Sequence, residues 1–175
     1  MKREDINIHD PFVLVWKGKY YLYGTRGETC FAKKAYGIDV YVGNDLENWD
    51  GPNEVFRRPD DFWADHCFWA PEVHCFGDRF YMFATFAVGK DRMGTTSLVA
   101  NSPLGPFKPL QNGTLTPETW RCLDGTLYIV RDGAPYLVFC REWKQVRDGQ
   151  ICAMKLSVDL SRPAGEPFIL FRASQ

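Results

Sequence analysis

The sequence lacks the features that mark several large classes of protein. No apolar run approaches the roughly 18 residues that a membrane-spanning helix needs, and the stretch 12–16 (FVLVW) is typical of those present. The opening stretch 1–5 (MKRED) has no apolar segment of the kind that forms a secretory signal. Neither sign of charge dominates, because 21 basic and 22 acidic residues leave a net charge of −1. We therefore expect no membrane association and no nucleic-acid partner, since nucleic-acid binding needs clustered positive charge.

Motifs for metal binding and for several kinds of catalysis are also missing. The six cysteines include no Cys-x-x-Cys pair, and the three histidines (His9, His66 and His74) lack metal-ligand spacing, so no metal ligands are predicted. A serine nucleophile elbow, a phosphate-binding loop and a dinucleotide fingerprint are all absent. Several cysteines lie inside apolar runs, which predicts reduced and mostly buried thiols. Together with the absent signal, this favours a cytoplasmic location, the alternative being that a leader has been removed.

Aromatic residues, by contrast, are abundant. The 13 Phe, 8 Tyr and 6 Trp make up 15% of the chain, and 15 Gly and 11 Pro accompany them. Many aromatics with frequent turn formers are typical of short strands packed face to face, and aromatic faces also stack on sugar rings. Composition alone does not separate these two uses. No segment carries a 3.6-residue apolar period over a helical length, so almost no helix is expected.

A repeat runs through the whole chain. The segments 11–23, 71–83 and 125–139 each contain a short apolar strand, a turn with glycine and a second, aromatic-rich strand. A second landmark, which follows a third apolar segment in each unit, begins at positions 45, 102 and 159, so it recurs every 57 residues. Four short antiparallel strands repeated at such an interval describe the blades of a β-propeller. An unrelated β-sandwich with chance similarity is the alternative.

The sequence therefore predicts an all-β fold with one partial β-propeller domain over 1–175. Its three four-stranded blades are expected at about 8–58, 67–112 and 121–173. Propellers usually have four to eight blades, so three blades are not expected to close a ring. We expect that C-terminal blades missing from this chain cover the open blade face, or that the chain self-associates.

Acidic residues stand where the innermost strand of each predicted blade opens. These residues are Asp10, Glu72 and Asp124. Three carboxylates that converge on one channel repel one another and raise some of their pKa values, an arrangement more typical of function than of stability. Asp10 and Asp124 are therefore candidate catalytic residues, and Glu72 is a candidate substrate contact. The structural alternative is that an Asp before Pro or Gly simply forms a turn.

Further candidates lie near the same mouth of the predicted channel. Trp69 is either an ordinary core residue or a stacking platform for a sugar. The second strand of each blade runs back to this mouth, and Arg26, Glu142 and Trp143 follow the ends of two such strands. These three are predicted substrate contacts, although polar residues after a strand are also typical of solvated loops.

The order and spacing of these motifs resemble glycoside hydrolase family 43, whose members are five-bladed propellers. The resemblance covers essentially the whole chain. It rests on the stretches 9–12 (HDPF), 18–25 (GKYYLYGT), 69–73 (WAPEV), 102–107 (SPLGPF), 123–127 (LDGTL) and 164–168 (AGEPF).

The resemblance implies an inverting glycosidase that acts on arabinose- or xylose-containing glycans, so the expected partner is an oligosaccharide or polysaccharide that contains pentoses. Asp10 would be the general base, and Asp124 would orient and tune the pKa of the other groups. The family's general acid belongs to a fourth blade, beyond residue 175, so this chain is expected to be incomplete as an enzyme. A metal ion in the central channel of the complete propeller, as in some family members, is the one cofactor considered.

Two other interpretations stay open. A non-catalytic carbohydrate-binding or interaction propeller would depend on its aromatic and arginine residues, but would tolerate changes at Asp10 and Asp124. An inactive truncated product would not stay monomeric, because its uncovered blade face would associate with another molecule.

Overall fold

The computed structural model describes residues 1–32 and 34–175, and most of its ordered elements are strands. Within this described part the helical residues form two 3-10 turns (Arg3–Asp5 and Gly27–Thr29) and a one-turn helix, α1 (Trp143–Val146). None of these helices has the length to cross a bilayer. The strands are β1 (Ile8–Trp16), β2 (Lys19–Arg26), β3 (Gly37–Gly43), β4 (Asp50–Arg57), β5 (His66–Phe76), β6 (Arg79–Val88), β7 (Arg92–Ala100), β8 (Lys108–Pro109), β9 (Cys122–Ile129), β10 (Pro135–Arg141), β11 (Gln150–Lys155) and β12 (Phe168–Arg172).

These strands form three four-stranded antiparallel sheets, each built from consecutive strands. The sheets are β1 to β4, β5 to β8 and β9 to β12, and each follows its order in the chain. The first strands of neighbouring sheets contact one another, β1 with β5 and β5 with β9, so these three strands lie innermost. The prediction of an all-β fold with three propeller blades is confirmed.

Glycine turns join the first two strands of each blade. In the first blade Lys17 and Gly18 form a two-residue loop with φ values of 48° and 73°. Positive φ at both positions matches the right-handed twist of the paired strands, which is why glycine is favoured there. The second blade uses Gly77 in a loop of the same length, whereas the third blade has a five-residue loop that contains Gly133.

One row of side chains on the second strand of each blade faces the following blade. In the first two blades this row is buried, and its members join the apolar clusters between neighbouring blades. The buried hydroxyl of Tyr23 also donates a hydrogen bond of 2.6 Å to the carbonyl oxygen of Pro103 in the second blade. The equivalent row of the third blade is only partly buried, beside the exposed Phe168 and Leu170. The rows are Tyr21, Tyr23 and Thr25; Tyr81, Phe83 and Thr85; and Tyr136, Val138 and Cys140.

All six cysteines are free thiols in the structure. Three of them are buried, Cys67 and Cys140 are partly buried, and Cys75 is exposed. The thiols are therefore unpaired as predicted, but only half of them are fully buried. Burial raises the pKa of Cys122 to about 12, so this thiol stays protonated at neutral pH.

Gly125 on β9 lies against Thr95 of the second blade, with no room for a side chain. A Cβ atom at this position would lie 2.4 Å from Oγ1 and 2.6 Å from Cγ2 of Thr95 on β7. Thr95 is fully buried and β-branched, so it has little freedom to move away. The third blade can pack against the second only because residue 125 has no side chain.

Gly125→Ala should therefore destabilise the protein. Overpacking of this kind costs about 1–3 kcal/mol, which corresponds to a decrease in Tm of about 3–10 °C for a chain of this length. Gly113→Ala is the matched control, because a Cβ at Gly113 meets nothing within 4 Å. Thermal unfolding followed by circular dichroism would measure both variants, and equal Tm values for the two would contradict this account.

Candidate active site

Each innermost strand carries a β-bulge near its start. The regular pairing of β1 with β2 is interrupted between His9 and Phe12, and the same interruption occurs in β5 and β9. The first bulge residue has positive φ in all three blades: 49° at Asp10, 44° at Ala70 and 54° at Asp124. Positive φ is strained for residues other than glycine, and bulges of this kind often re-aim a side chain at a functional site.

A threonine hydroxyl from the preceding blade holds two of these bulges. Thr25 accepts a hydrogen bond of 2.9 Å from the backbone N–H of Ala70, and Thr85 accepts one of the same length from Asp124. The hydroxyl of Thr25 also donates to a carboxylate oxygen of Asp10 at 3.4 Å. The same threonine therefore links the first two blades and helps to orient Asp10.

The bulges correct the expected alignment of the three acidic residues. Asp10 and Asp124 occupy equivalent positions, but the equivalent residue of the second blade is Ala70. Glu72 lies two residues further along β5, at the register of Phe12 and Thr126. The sequence pattern missed this offset because a bulge changes the pairing without changing the residue types around it.

Asp10, Glu72 and Asp124 are nevertheless close enough for their charges to interact. Burial is the largest cause that raises the pKa of Asp124 to about 6, followed by the negative charges of Asp10 and Glu72. Solvent still reaches Asp10 and Asp124, so a ligand could reach them too. Asp10 and Asp124 therefore occupy equivalent positions and influence each other electrostatically, while their convergence on one channel stays a prediction.

Glu72 is bonded to the third blade and to its own strand. Its Oε2 accepts a hydrogen bond of 2.6 Å from the Thr126 hydroxyl on β9 and one of 3.3 Å from Nε2 of His74. Burial acts to raise the pKa of Glu72, but these hydrogen bonds and the charge on His74 outweigh it and hold the pKa below its usual value. Glu72 is therefore an ionised link between two innermost strands.

An aromatic group contacts His9, the residue that precedes Asp10 on β1. The indole N–H of Trp69 donates to the carbonyl oxygen of Cys30 at 2.7 Å, which fixes the ring. The ring of Phe31 makes edge-to-face contacts with Trp69 and with His9, at centroid distances of 6.3 Å and 6.0 Å. Phe31 is 85% exposed, so the group offers an apolar surface to solvent.

Arg26 and Glu142 are engaged with protein partners. The Arg26 guanidinium donates to Asp39 at 2.7 and 2.5 Å and to Glu54 at 2.9 Å, and it therefore extends along the sheet towards β3 and β4. Glu142 is buried and accepts from Nε of Arg121 at 2.7 Å. These ion pairs do not support the expectation that the two side chains bind sugar.

Trp143 is placed differently from these two residues. It begins α1 and is 63% exposed, so its role as a substrate contact stays a prediction.

The side chains described here do not form a metal centre. Among residues 1–32 and 34–175, no group of three or more His, Cys, Asp or Glu side chains is arranged to hold a metal ion. The metal ion considered for the central channel of a complete propeller stays a prediction.

A sequence model of glycosyl hydrolases family 43 matches residues 5–175. The chain belongs to this family. The match includes both bulge aspartates and all twelve strands. Among curated proteins, none matches the chain.

Three solved structures illustrate how the chain relates to family 43. An endo-arabinase from Bacteroides thetaiotaomicron has a TM-score of 0.89 and 41% identity, covering 99% of this chain and 59% of that one. A thermostable family-43 glycoside hydrolase has a TM-score of 0.82 and 27% identity, covering 97% and 54%. An endo-1,4-β-xylanase from B. thetaiotaomicron has a TM-score of 0.71 and 27% identity, covering 90% and 50%. The chain thus spans between half and three-fifths of the length of these structures.

The resemblance to family 43 seen in the motifs is therefore confirmed, while the roles of individual residues stay predictions. Sequence reasoning missed Phe31, Thr126 and the orienting contact of Thr25. Phe31 lies in a loop without any repeating pattern, so no sequence signal was available. Thr126 follows Asp124 by two residues. An alignment of the three bulges would have given it the same position in the repeat as Glu72.

Asp124→Asn should stabilise this family 43 chain at high pH. In the unfolded chain an Asp ionises near pH 4, but in the folded protein Asp124 ionises near pH 6. The folded state therefore holds the proton more tightly, and Asp124 lowers the free energy of unfolding as the pH rises from about 4 to 6. After allowance for solvent screening, the gain from Asn above pH 7 should be about 1 kcal/mol, or about 2–4 °C in Tm.

Thermal unfolding at pH 4 and at pH 8 measures this effect. The difference in Tm between Asp124→Asn and the unmodified chain should be present at pH 8 and smaller at pH 4. Asp78→Asn, at an exposed turn position, is the control and should show no such dependence. A lower Tm for Asp124→Asn at pH 8 would contradict the crowding of negative charge at this site.

Proposed function

We propose that this chain contributes the base and the orienting carboxylate of a glycoside hydrolase that cleaves arabinose- or xylose-containing glycans with inversion. The observation that carries the proposal is the pair Asp10 and Asp124, which occupy equivalent bulges and whose charges interact. The similarity to an endo-arabinase at 41% identity favours arabinan as the substrate, and the similarity to a xylanase at 27% keeps xylan as the second choice.

Asp10 is the proposed general base. It is exposed to solvent, and the hydroxyl of Thr25 contacts its carboxylate, so the group can be held while it takes a proton from water. In an inverting enzyme this water attacks the anomeric carbon from the face opposite the leaving group. The base and the acid then stand roughly 6.5–9.5 Å apart, which leaves room for the water between them.

Asp124 is the proposed orienting and tuning residue. Its carboxyl group ionises near pH 6, because burial and the neighbouring charges of Asp10 and Glu72 oppose ionisation. Above that pH it adds a negative charge beside the reacting centre. A neighbouring anion raises the pKa of a carboxylic acid, so Asp124 would help a general acid to keep the proton that it delivers to the leaving oxygen.

The general acid is proposed to come from outside these 175 residues. The other acidic side chains predicted at the site, Glu72 and Glu142, are bonded to Thr126 and Arg121 and are poorly placed to donate a proton. The similar structures are longer than this chain, which leaves room for a further residue. Blades from the same polypeptide, or a second copy of the chain, would also cover the exposed row of the third blade.

A second candidate function is carbohydrate binding without catalysis. Trp69, which is fixed by its hydrogen bond and partly exposed, and the exposed Phe31 present an aromatic surface that could hold a sugar ring with no proton transfer. This alternative requires the aromatic residues but not the carboxylate of Asp10. Asp10→Asn separates the two candidates, and Phe31→Ala tests the aromatic surface that both would use.

Asp10→Asn should abolish hydrolysis while sugar binding survives. The amide cannot accept the proton of the attacking water, and loss of a general base reduces kcat by about 10²–10⁴-fold. In a protein or complex that contains this chain together with the general acid, release of reducing ends from arabinan measures hydrolysis, and calorimetry with an arabino-oligosaccharide measures binding. Asp78→Asn is the control and should leave both unchanged. Near-normal turnover by Asp10→Asn would remove Asp10 from the mechanism.

Phe31→Ala should weaken sugar binding without changing the fold. The ring is 85% exposed, so its removal costs little stability. A stacking contact of this kind contributes about 0.5–1.5 kcal/mol, which predicts a rise in Kd of roughly 2- to 10-fold. Intrinsic tryptophan fluorescence during a titration with arabino-oligosaccharide would measure the Kd.

Phe171→Ala is the matched control for Phe31→Ala, since this ring is also exposed but lies on β12 of the third blade. Equal Kd values for the Phe31→Ala and Phe171→Ala variants would contradict the aromatic platform.

A further inference from the structure

Glu72 occupies an unusual place between two blades. It lies on β5, the innermost strand of the second blade, and its Oε2 accepts a hydrogen bond of 2.6 Å from Thr126 on β9, the innermost strand of the third. Thr126 follows Asp124 by only two residues on that strand. The carboxylate of Glu72 therefore holds the segment that carries Asp124.

His74 fixes the other side of this carboxylate. An ionised carboxylate can only accept hydrogen bonds. Nε2 of His74 must therefore carry a hydrogen and donate a hydrogen bond of 3.3 Å to Oε2 of Glu72. The His74 ring is itself packed between Phe12 of the first blade and Phe83 of β6, at centroid distances of 5.6 Å and 6.0 Å. Contacts from all three blades thus restrict where Glu72 can point.

We propose that Glu72 is a positioning residue for Asp124 and not a sugar contact. Through Thr126 it anchors the strand segment that holds Asp124, and its negative charge acts on the Asp124 carboxyl group. This inference rests on the proposed function for the importance of Asp124, but the placement of Glu72 can be tested without any sugar.

The charged surroundings of Asp124 define the test. The titratable groups that interact with Asp124 are Asp10 on β1, Glu72 on β5 and Cys140 on β10. Asp10 and Glu72 both act to raise the pKa of Asp124, after burial. Removing the charge of Glu72 while keeping its shape should therefore lower the pKa of Asp124.

Glu72→Gln makes this change in the 175-residue chain. Its amide oxygen can still accept from Thr126, so β9 stays anchored while the charge is lost. A carboxyl ¹³C NMR titration, with the Asp124 signal assigned from Asp124→Asn, should show the pKa of Asp124 fall by about half a unit. An unchanged pKa would overturn the proposal, because a purely structural or sugar-binding Glu72 would leave the titration of Asp124 where it was.

A matched pair at Thr126 gives an independent measurement if Glu72→Gln does not fold. Thr126→Val removes the hydroxyl at nearly constant shape, and Thr126→Ser keeps it. The hydrogen bond from Thr126 lowers the pKa of Glu72, so the pKa of Glu72 should rise in the Val variant and stay unchanged in the Ser variant. Equal pKa values in both variants would overturn the anchoring role.

Sugar binding separates this inference from the proposed function. With an arabino-oligosaccharide as the probe, Glu72→Gln should bind within about threefold of the unmodified chain, whereas Trp69→Ala should bind more weakly. A loss of more than tenfold in Glu72→Gln, with the pKa of Asp124 unchanged, would make Glu72 a sugar contact. If the unmodified chain binds no sugar, the proposed function fails for this chain alone, and the two titrations still decide the placement of Glu72.

Discussion

The hydrogen bond between a threonine hydroxyl and the N–H of a β-bulge in the next blade is the contact on which this site depends. Thr25 and Thr85 each make it with a length of 2.9 Å. The bond satisfies a backbone group that the bulge has removed from the strand ladder. It also sets the position of the bulge relative to the preceding blade, so the place of Asp124 follows from how the third blade docks on the second, while Thr25 joins the Asp10 carboxylate to the bulge of the second blade.

The bulges that position the candidate catalytic residues also lower the stability of the fold. A residue with strained backbone costs on the order of 1–3 kcal/mol, and three such residues stand at equivalent places, one of them the alanine of the second blade. Asp10, Glu72 and Asp124 add mutual repulsion, which appears in the raised pKa of Asp124. Extensive burial between blades offsets these costs, since residues such as Phe83 and Leu137 are fully enclosed.

The third blade lacks the threonine that the first two blades have on their second strand. The position of Thr25 and Thr85 is taken there by Cys140, whose sulfur is a weaker hydrogen-bond acceptor than a hydroxyl oxygen. The row that contains Cys140 is partly exposed, whereas the rows of the first two blades are buried. The repeat is therefore regular in its strands but not in the surface that each blade presents to the next.

The strand order, the glycine turns and the equivalent positions of Asp10 and Asp124 could be predicted from the amino-acid sequence. They depend on local alternation of residues and on a period of 57 positions, and both are visible in one chain. The sequence did not predict three other features: the offset of Glu72 from Ala70, the ion pairs of Arg26 and Glu142, and the position of Phe31. These features depend on bulge register and on contacts between residues that are distant in sequence, such as Glu72 with Thr126. Such contacts exist only once the blades have packed, so the tertiary structure alone decided them.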